Sequence, residues 1–194
     1  MLTMLNRVVI QAVWGRMGMA KMLAEQTGGQ IYTDLCYSPV QAFCGSLLAF
    51  GGQSHIHIED DAILCRDFNV LARQAIDQFP KDVISFFGTQ DYMDIERIQI
   101  RRPAPYLPLV CTYFPSWFIT ALVDWIYELD FKKTGRIERD WEIDNYPAEF
   151  MRQRDIKFVA WYPALAQHRV GKSHIGKGRL LDRRTKHFID EIAN

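Results

Sequence analysis

The sequence predicts a single α/β domain with a mostly parallel central sheet and helices on both faces. Three observations support this prediction. Short apolar runs rich in β-branched residues alternate with helical segments along the first half of the chain, and these runs are too hydrophobic for a sheet with one solvated face. A length of 194 residues suits one compact domain better than two.

The first half of the chain follows the order β-α-β-α-β-α-β. A β-branched run predicts a strand at 7–13, and a turn at 14–16 leads into a helix that ends at Gly28 and Gly29. Ser38 and Pro39 suit the start of the second helix, and Asp67 suits the cap of the third, which Pro80 ends. The later elements are a strand at 30–35, a helix at 39–50, a strand at 54–58, a helix at 68–79 and a strand at 83–87.

The second half of the chain is less regular. Three prolines between 89 and 108 predict a loop or an irregular hairpin. A strongly apolar helix is expected at 116–129, where it suits the core or a dimer face, followed by a loop at 132–135. A helix is predicted at 140–153 and a last strand at 156–161. Beyond His168 the chain is polar and basic.

Charge and cysteine content restrict the function classes. The 23 Lys and Arg balance the 23 Asp and Glu, so any contact with nucleic acid must be local. The four cysteines are far apart and form no CxxC motif, which favours reduced thiols and a cytoplasmic protein. No apolar run approaches the roughly 18 residues of a membrane span, so we expect a protein without a membrane partner.

Three consecutive carboxylates, Glu59, Asp60 and Asp61, follow the apolar strand 54–58. Adjacent like charges repel, and a divalent cation relieves that repulsion. Open α/β sheets bind ligands at the carboxyl ends of their strands, and carboxylate oxygens suit Mg²⁺ or Mn²⁺. A solvated acidic turn is the alternative interpretation.

The segment IHIEDDAILCRDF resembles the acidic strand of the bacterial lipopolysaccharide and collagen-type galactosyltransferases, within the GT-A class of nucleotide-sugar glycosyltransferases. The resemblance implies one GT-A-like, Rossmann-like domain over 1–194. Its donor half would be 1–90, its acceptor and catalytic half 91–168, and its basic lid or tail 169–194. It also implies that Glu59 and Asp61 bind a metal and that Asp60 contributes to donor binding.

Two further segments resemble motifs of this class, in the same order along the chain. GRIERDWEID, at 135–144, is similar to the motif that carries the catalytic base and nominates Asp140, with Glu142 in reserve. Asp140 would also suit a helix N-cap. WYPALAQH and the later Ser173 resemble the C-terminal motif, which implies that His168 is a metal ligand and that Ser173 contacts the donor.

The resemblance also places the nucleotide. Gln11, Trp14 and Arg16 follow the first strand, where this class holds base and ribose, and Asp34 at the end of the second strand is a further candidate. Trp14 would equally suit the core. The spacing after the first strand lacks the full GxGxxG pattern, which disfavours a dinucleotide oxidoreductase. We expect His55 and His57 to be packed residues rather than ligands.

A basic residue near the C-terminus is predicted to contact the donor diphosphate; the candidates are Lys172, Arg169 and Lys177. The segment GKSHIGKG at 171–178 is predicted to be a lid over the bound donor, because glycines permit close approach to phosphate. The cofactor is predicted to be Mn²⁺ or Mg²⁺ and the donor a nucleoside-diphosphate sugar. Either stereochemical outcome, retention or inversion, is compatible with Asp140.

The predicted acceptor is DNA that contains a hydroxymethylated pyrimidine. Residues 169–187 carry seven Lys or Arg and one Asp, and a second basic cluster contains Arg97, Arg101 and Arg102; such clusters bind phosphate backbones. Small chains of this kind resemble phage-encoded glycosyltransferases, which would place the protein in the host cytoplasm. The alternatives are a saccharide or small-molecule acceptor, and a non-catalytic module that binds nucleic acid or protein.

Overall fold

The computed structural model describes residues 7–33, 38–88, 97–103, 107–133, 143–169, 171–172, 180–181, 185 and 187–192. Within these residues the strands are β1 (Val8–Ala12), β2 (Gln30–Thr33), β3 (His55–Glu59), β4 (Ala62–Leu64), β5 (Val83–Ser85), β6 (Gln99–Arg101), β7 (Cys111–Phe114), β8 (Phe158–Ala160), β9 (Ala166–His168), β10 (Gly171–Lys172) and β11 (Leu180–Leu181). The helices are α1 (Met17–Thr27), α2 (Pro39–Leu48), α3 (Phe68–Gln78), α4 (Ser116–Lys133), α5 (Asn145–Gln153) and α6 (Ile189–Ile192).

A seven-stranded sheet in the order β2-β1-β3-β7-β5-β8-β6 forms the centre of the fold. Strands β1, β2, β3, β5 and β8 run in one direction, and β7 and β6 run in the other. The mostly parallel α/β sheet predicted from the sequence is therefore confirmed. Two small antiparallel ladders, β4 with β9 and β10 with β11, complete the described sheet structure.

Helices cover both faces of this sheet, as adjacent residues of single strands show. On β7, Tyr113 packs in one apolar cluster and Phe114 in the other. Ile84 and Val83 divide in the same way on β5, as expected when successive side chains of a strand point to opposite faces. Helices α1 and α3 pack in the first cluster, and α2, α4 and α5 pack in the second.

Local sequence signals account for several element ends. Gly28 ends α1 with a φ of 73°, in the left-handed region that favours glycine. The side chain of Ser38 accepts a hydrogen bond from Gln41 N at 3.4 Å, and Pro39 is the first residue of α2. Asp67 occupies the predicted N-cap position of α3, but the expected side-chain cap does not form among the described residues. Its φ of −103° and ψ of 28° depart from the extended N-cap conformation, and its side chain makes no capping hydrogen bond in the described structure.

The central antiparallel strand β7 was missed by sequence reasoning, although most of its residues are apolar and it lies between Pro108 and Pro115. The predicted loop or hairpin at 89–108 contains the edge strand β6. Helix α4 continues to Lys133, through the start of the predicted loop. Strand β8 is followed by β9, β10 and β11, so the predicted strand at 156–161 was not the last.

Among the described residues, no helix has both the length and the apolar character needed to cross a membrane. Cys65 and Cys111 are buried, and burial raises the pKa of both thiols, to about 11 for Cys65. Both thiols are therefore held in the protonated form, which is the less reactive one.

Candidate functional site

The candidate site lies where β1 and β3 end. These strands are parallel neighbours with Gln11 opposite Glu59, so their carboxyl ends meet at one edge of the sheet. The backbone N–H of Asp60 donates to Gln11 O at 3.1 Å, which continues the pairing one residue beyond β3. The acidic segment is thereby fixed beside the turn that leaves β1, in the position where open α/β sheets bind ligands.

Asp60 connects the two strand ends through its side chain. Val13 N–H donates to Asp60 Oδ2 at 2.8 Å, and Arg16 Nη1 donates to Asp60 Oδ1 at 2.9 Å. The residue is only 4% exposed. Burial raises the pKa of Asp60, although the hydrogen bonds from Val13 and Arg16 oppose the shift. Both oxygens of Asp60 are thus occupied by the protein itself, and its predicted role in donor binding stays a prediction.

Arg16 is the counter-ion of both neighbouring aspartates. It ends the single 3₁₀ turn Trp14–Arg16, and its Nη1 atom contacts Asp61 Oδ2 as well as Asp60 Oδ1. Burial by itself would lower the pKa of this guanidinium, but the charges and hydrogen bonds of Asp61 and Asp60 outweigh burial and raise it. The repulsion between adjacent carboxylates, from which the metal was predicted, is therefore partly relieved by a side chain of the protein.

Asp61 and His168 come together at the same place. His168 Nε2 lies 3.4 Å from Asp61 Oδ2, and both side chains are about 85% buried. Asp61 Oδ1 and His168 Nδ1 are buried and have no hydrogen-bond partner among the described residues. A buried polar atom without a partner is costly, so each of these atoms is available for a ligand.

A short ladder explains why residues so distant in sequence meet. Strand β4 directly follows the acidic segment and pairs with β9, with Ala62 opposite His168. Arg169 N–H donates to Asp61 O at 2.9 Å and continues this ladder. Strand β9 is also held at the carboxyl end of β5, because Ala166 N–H donates to Phe86 O at 3.1 Å. The carboxyl ends of β1, β3 and β5 are therefore all adjacent to the site.

The geometry of Asp61 and His168 fits a divalent cation. Two ligand atoms at about 2.1 Å from one cation are about 3.0 Å apart at a right angle and about 3.4 Å apart at the tetrahedral angle. The separation of 3.4 Å between Asp61 Oδ2 and His168 Nε2 lies in this range. Within the described residues, no group of three or more His, Cys, Asp or Glu side chains is arranged to hold a metal.

Glu59, the third predicted ligand, is the last residue of β3, and its backbone N–H donates to Val110 O at 3.0 Å. Its role as a ligand stays a prediction. A cation held by Asp61 and His168 would take its remaining ligands from Glu59, from water or from phosphate oxygens.

Comparison with known proteins does not extend this description. The sequence matches no protein-family model and no curated protein. Among solved structures, the chain is similar to one described as a glucose-1-phosphate thymidylyltransferase from Bacillus anthracis in complex with a sucrose. The TM-score is 0.46 and the identity 10%, over 82% of this chain and 69% of that chain.

The side chain of Gln11 belongs to a buried polar cluster with His57 and Ser46. Its Oε1 atom lies 2.8 Å from His57 Nε2 and 3.3 Å from Ser46 Oγ. His57 is fully buried and its ring contacts Phe43 and Phe114. The predicted contact of Gln11 with the nucleotide thus competes with an internal structural role, and His57 is a packed residue as expected.

Trp14 is 69% exposed, so the alternative that it is a core residue was wrong. It lies in the 3₁₀ turn that directly follows Val13 and ends at Arg16. An exposed indole beside a charged site is suited to stacking against a nucleobase, which contributes about 1–3 kcal/mol per base where it has been measured.

Several predicted site residues lie outside the described structure: Asp34, Asp140, Glu142, Ser173 and Lys177. The lid predicted at 171–178 is described only in the backbone of its first two residues, Gly171 and Lys172, which form β10. The roles of all these residues stay predictions.

Sequence reasoning missed two features of the site. The first is the direct pairing of Arg16 with both aspartates, which no local pattern signals. The second is Gln167, which is 3% exposed and binds Thr185 through both atoms of its side-chain amide. Gln167 Nε2 donates to Thr185 O at 3.1 Å, and Thr185 N donates to Gln167 Oε1 at 2.9 Å. This contact fixes a segment near the C-terminus beside β9. No signal in the sequence marks this contact, because the burial of Gln167 is known only from the structure.

Proposed function

We propose that this chain is a glycosyltransferase that transfers a sugar from a nucleoside-diphosphate sugar and uses a divalent cation held by Asp61 and His168. The observation that carries the proposal is the 3.4 Å separation of Asp61 Oδ2 and His168 Nε2 at the carboxyl edge of the sheet. The unpartnered Asp61 Oδ1 supports it, because it offers a second oxygen at the same position.

The proposed cation would supply the positive charge that a donor diphosphate needs. When bound, the cation would stabilise the negative charge that develops on the leaving nucleoside diphosphate. Asp61 and His168 would hold the cation in a defined position, since the β4–β9 ladder fixes the backbone of both residues. Arg169 directly follows His168, and its backbone N–H donates to Asp61 O. The backbone of Arg169 is therefore adjacent to the position proposed for the phosphates.

The turn after β1 is proposed to hold the nucleoside. Trp14 presents an exposed ring for the base, and Asp60 anchors the turn through the N–H of Val13. The proposed base for the acceptor hydroxyl is Asp140, with Glu142 in reserve. A base in that position would take the proton from the acceptor oxygen as it attacks the anomeric carbon.

A panel of nucleotide sugars, assayed with and without Mn²⁺, tests this function. We expect one donor to raise the melting temperature only when Mn²⁺ is present, and the same donor to release nucleoside diphosphate. Asp61→Asn and His168→Asn should each remove the Mn²⁺-dependent stabilisation. Asp77→Asn is a matched control, because Asp77 is an exposed carboxylate paired with Arg73 on the surface of α3.

The same assay separates an enzyme from a binding module. A module that docks nucleic acid or protein would show no donor-dependent stabilisation and no nucleoside diphosphate release with any donor. Mn²⁺-dependent release that persists unchanged in both site variants would place the cation elsewhere in the chain.

The acceptor is proposed to be a hydroxymethylated pyrimidine in DNA, with a saccharide or small molecule as the alternative. Two arginines of the basic cluster proposed to bind the DNA backbone already have partners within the chain. Arg101 donates to Gln99 Oε1 at 2.7 Å, and Arg102 forms an exposed ion pair with Asp155 at 2.8 Å. DNA containing hydroxymethylcytosine or hydroxymethyluracil should gain the mass of one hexose per modified nucleoside. Unchanged nucleosides in the presence of active donor hydrolysis would eliminate the DNA acceptor.

A further inference from the structure

One oxygen atom of the site has two partners. Asp61 Oδ2 contacts Arg16 Nη1 and also lies 3.4 Å from His168 Nε2. A cation shared by Asp61 Oδ2 and His168 Nε2 would therefore be adjacent to the positively charged guanidinium. Two positive groups at one carboxylate oxygen repel strongly when they are shielded from water, and the side chain of Arg16 is only 15% exposed.

Two hydrogen bonds that hold the turn do not involve the guanidinium. Val13 N–H donates to Asp60 Oδ2, whereas Arg16 binds the other oxygen, Oδ1. In addition, Arg16 N–H donates to Val13 O at 2.9 Å through the backbone. The Arg16 side chain can leave the carboxylates while the turn stays anchored.

We propose that Arg16 is a built-in counter-ion that occupies Asp61 and has to leave it before a divalent cation binds there. Without a cation, the guanidinium partly neutralises the Asp60–Asp61 pair. When a cation enters, its two positive charges replace the single charge of Arg16 at Asp61. The competition follows from the contacts of Arg16 and does not depend on which reaction the site catalyses.

The released guanidinium has a clear next partner if the proposed function is correct. Arginine binds phosphate oxygens through two parallel hydrogen bonds, and a donor diphosphate would lie next to the cation. Arg16 would then act as a positioning residue, moving from carboxylate to phosphate as donor and cation bind together. The competition at Asp61 rests on the cation site of the proposed function, whereas this second step also rests on its donor diphosphate.

Titration with MnCl₂ alone, followed by the electron paramagnetic resonance signal of free Mn²⁺, tests the competition. We expect Arg16→Gln to bind Mn²⁺ at least about tenfold more tightly than the wild type, because a neighbouring positive charge is removed. Arg16→Lys retains the charge and should stay within about threefold of the wild type. Arg73→Gln is the matched control, since Arg73 forms an exposed ion pair on α3.

Three outcomes of this titration overturn the proposal: equal Mn²⁺ affinity in the wild type and Arg16→Gln, weaker affinity in Arg16→Gln, or no Mn²⁺ binding by either protein. Adding Asp61→Asn to Arg16→Gln should abolish the tighter binding. Tight binding that survives the double substitution also overturns the proposal, because the cation would then lie away from Asp61.

A second measurement uses the wild-type chain, in case Arg16→Gln does not fold. With ¹⁵N-labelled arginine, the Nη resonances of a paired guanidinium are resolved because its rotation is restricted. Saturating Mg²⁺ should release this restriction at Arg16 and leave Arg73 unchanged. Resonances of Arg16 that stay restricted, or show no response to Mg²⁺, overturn the proposal. Tighter Mn²⁺ binding by Arg16→Gln, together with no turnover of any donor by the wild type, would uphold the competition and reject the glycosyltransferase.

Discussion

His168 Nε2 lies 3.4 Å from Asp61 Oδ2, although the two residues come from opposite halves of the chain. The pairing of β4 with β9 produces this proximity, because Ala62 is opposite His168 and Arg169 N–H binds Asp61 O. The position of the two side chains therefore depends on backbone hydrogen bonds rather than on their own interaction. Substitution of either side chain should leave the ladder in place.

Asp61→Asn should reduce nucleoside diphosphate release by about 100-fold or more, because a charged ligand of the expected cation is lost. The fold should persist, since the backbone O of Asp61 still accepts the Arg169 N–H. Steady-state kinetics at saturating Mn²⁺ and a circular dichroism melting curve check both statements. Activity close to that of Asp77→Asn would contradict the assignment of Asp61.

Asp60→Ala should destabilise the fold by about 2–4 kcal/mol, because it leaves the Val13 N–H without its partner and removes one of the two carboxylates of Arg16. The free energy of unfolding in urea measures this loss. Asp77→Ala removes an exposed i,i+4 pair and should cost less than about 1 kcal/mol. Equal losses in the two variants would show that the Asp60 contacts do not stabilise the turn.

His57 should make the stability depend on pH. Burial lowers the pKa of His57 to about 3, from an ordinary value of 6.5. Between about pH 3 and pH 6.5, His57 is therefore protonated in the unfolded chain but neutral in the folded chain. Its contribution to the free energy of unfolding is complete above about pH 6.5 and is lost as the pH falls toward about 3. The slope is at most about 1.4 kcal/mol per pH unit.

Urea unfolding of the wild type and of His57→Gln between pH 7 and pH 4.5 isolates this contribution. His55, whose pKa is also lowered by burial, and Asp60, whose pKa is raised by burial, are present in both proteins. The stability advantage of the wild type should shrink as the pH falls. An advantage that stays constant over this range would mean that His57 does not resist protonation.

Gln167→Ala should lower the free energy of unfolding by about 2–3 kcal/mol, because it leaves buried groups of Thr185 without partners. Hydrogen exchange at the Thr185 amide should become faster than in the wild type. Gln153→Ala removes only an exposed contact to Glu149 and should change stability by less than about 0.5 kcal/mol. Unaltered exchange at Thr185 would show that Gln167 does not hold this segment.

Much of the fold was predictable because its signals are local. The β-branched run before Trp14 specifies β1, and Gly28 specifies the end of α1. Strand β7 was missed because its pairing between β3 and β5 depends on residues far away in sequence. Asp67 is the N-cap residue of α3 as predicted, but its backbone is not extended and its side chain makes no capping hydrogen bond.

The candidate site divides in the same way. Its acidic segment at the end of an apolar strand could be recognised from the sequence, whereas His168 was nominated only by the resemblance to a glycosyltransferase motif. The engagement of both Asp60 oxygens by Val13 and Arg16 could not, because a carboxylate has the same appearance in a sequence whether it is bound by the protein or open to a ligand.

The sequence by itself determined the alternation of strands and helices and the position of carboxylates at a strand end, since hydrophobic periodicity and turn residues act over a few neighbouring positions. Only the tertiary structure decided which charge faces which. It placed Arg16 against Asp60 and Asp61 and brought β9 alongside β4. Such contacts depend on the sheet order and the register between distant strands, which local patterns do not encode.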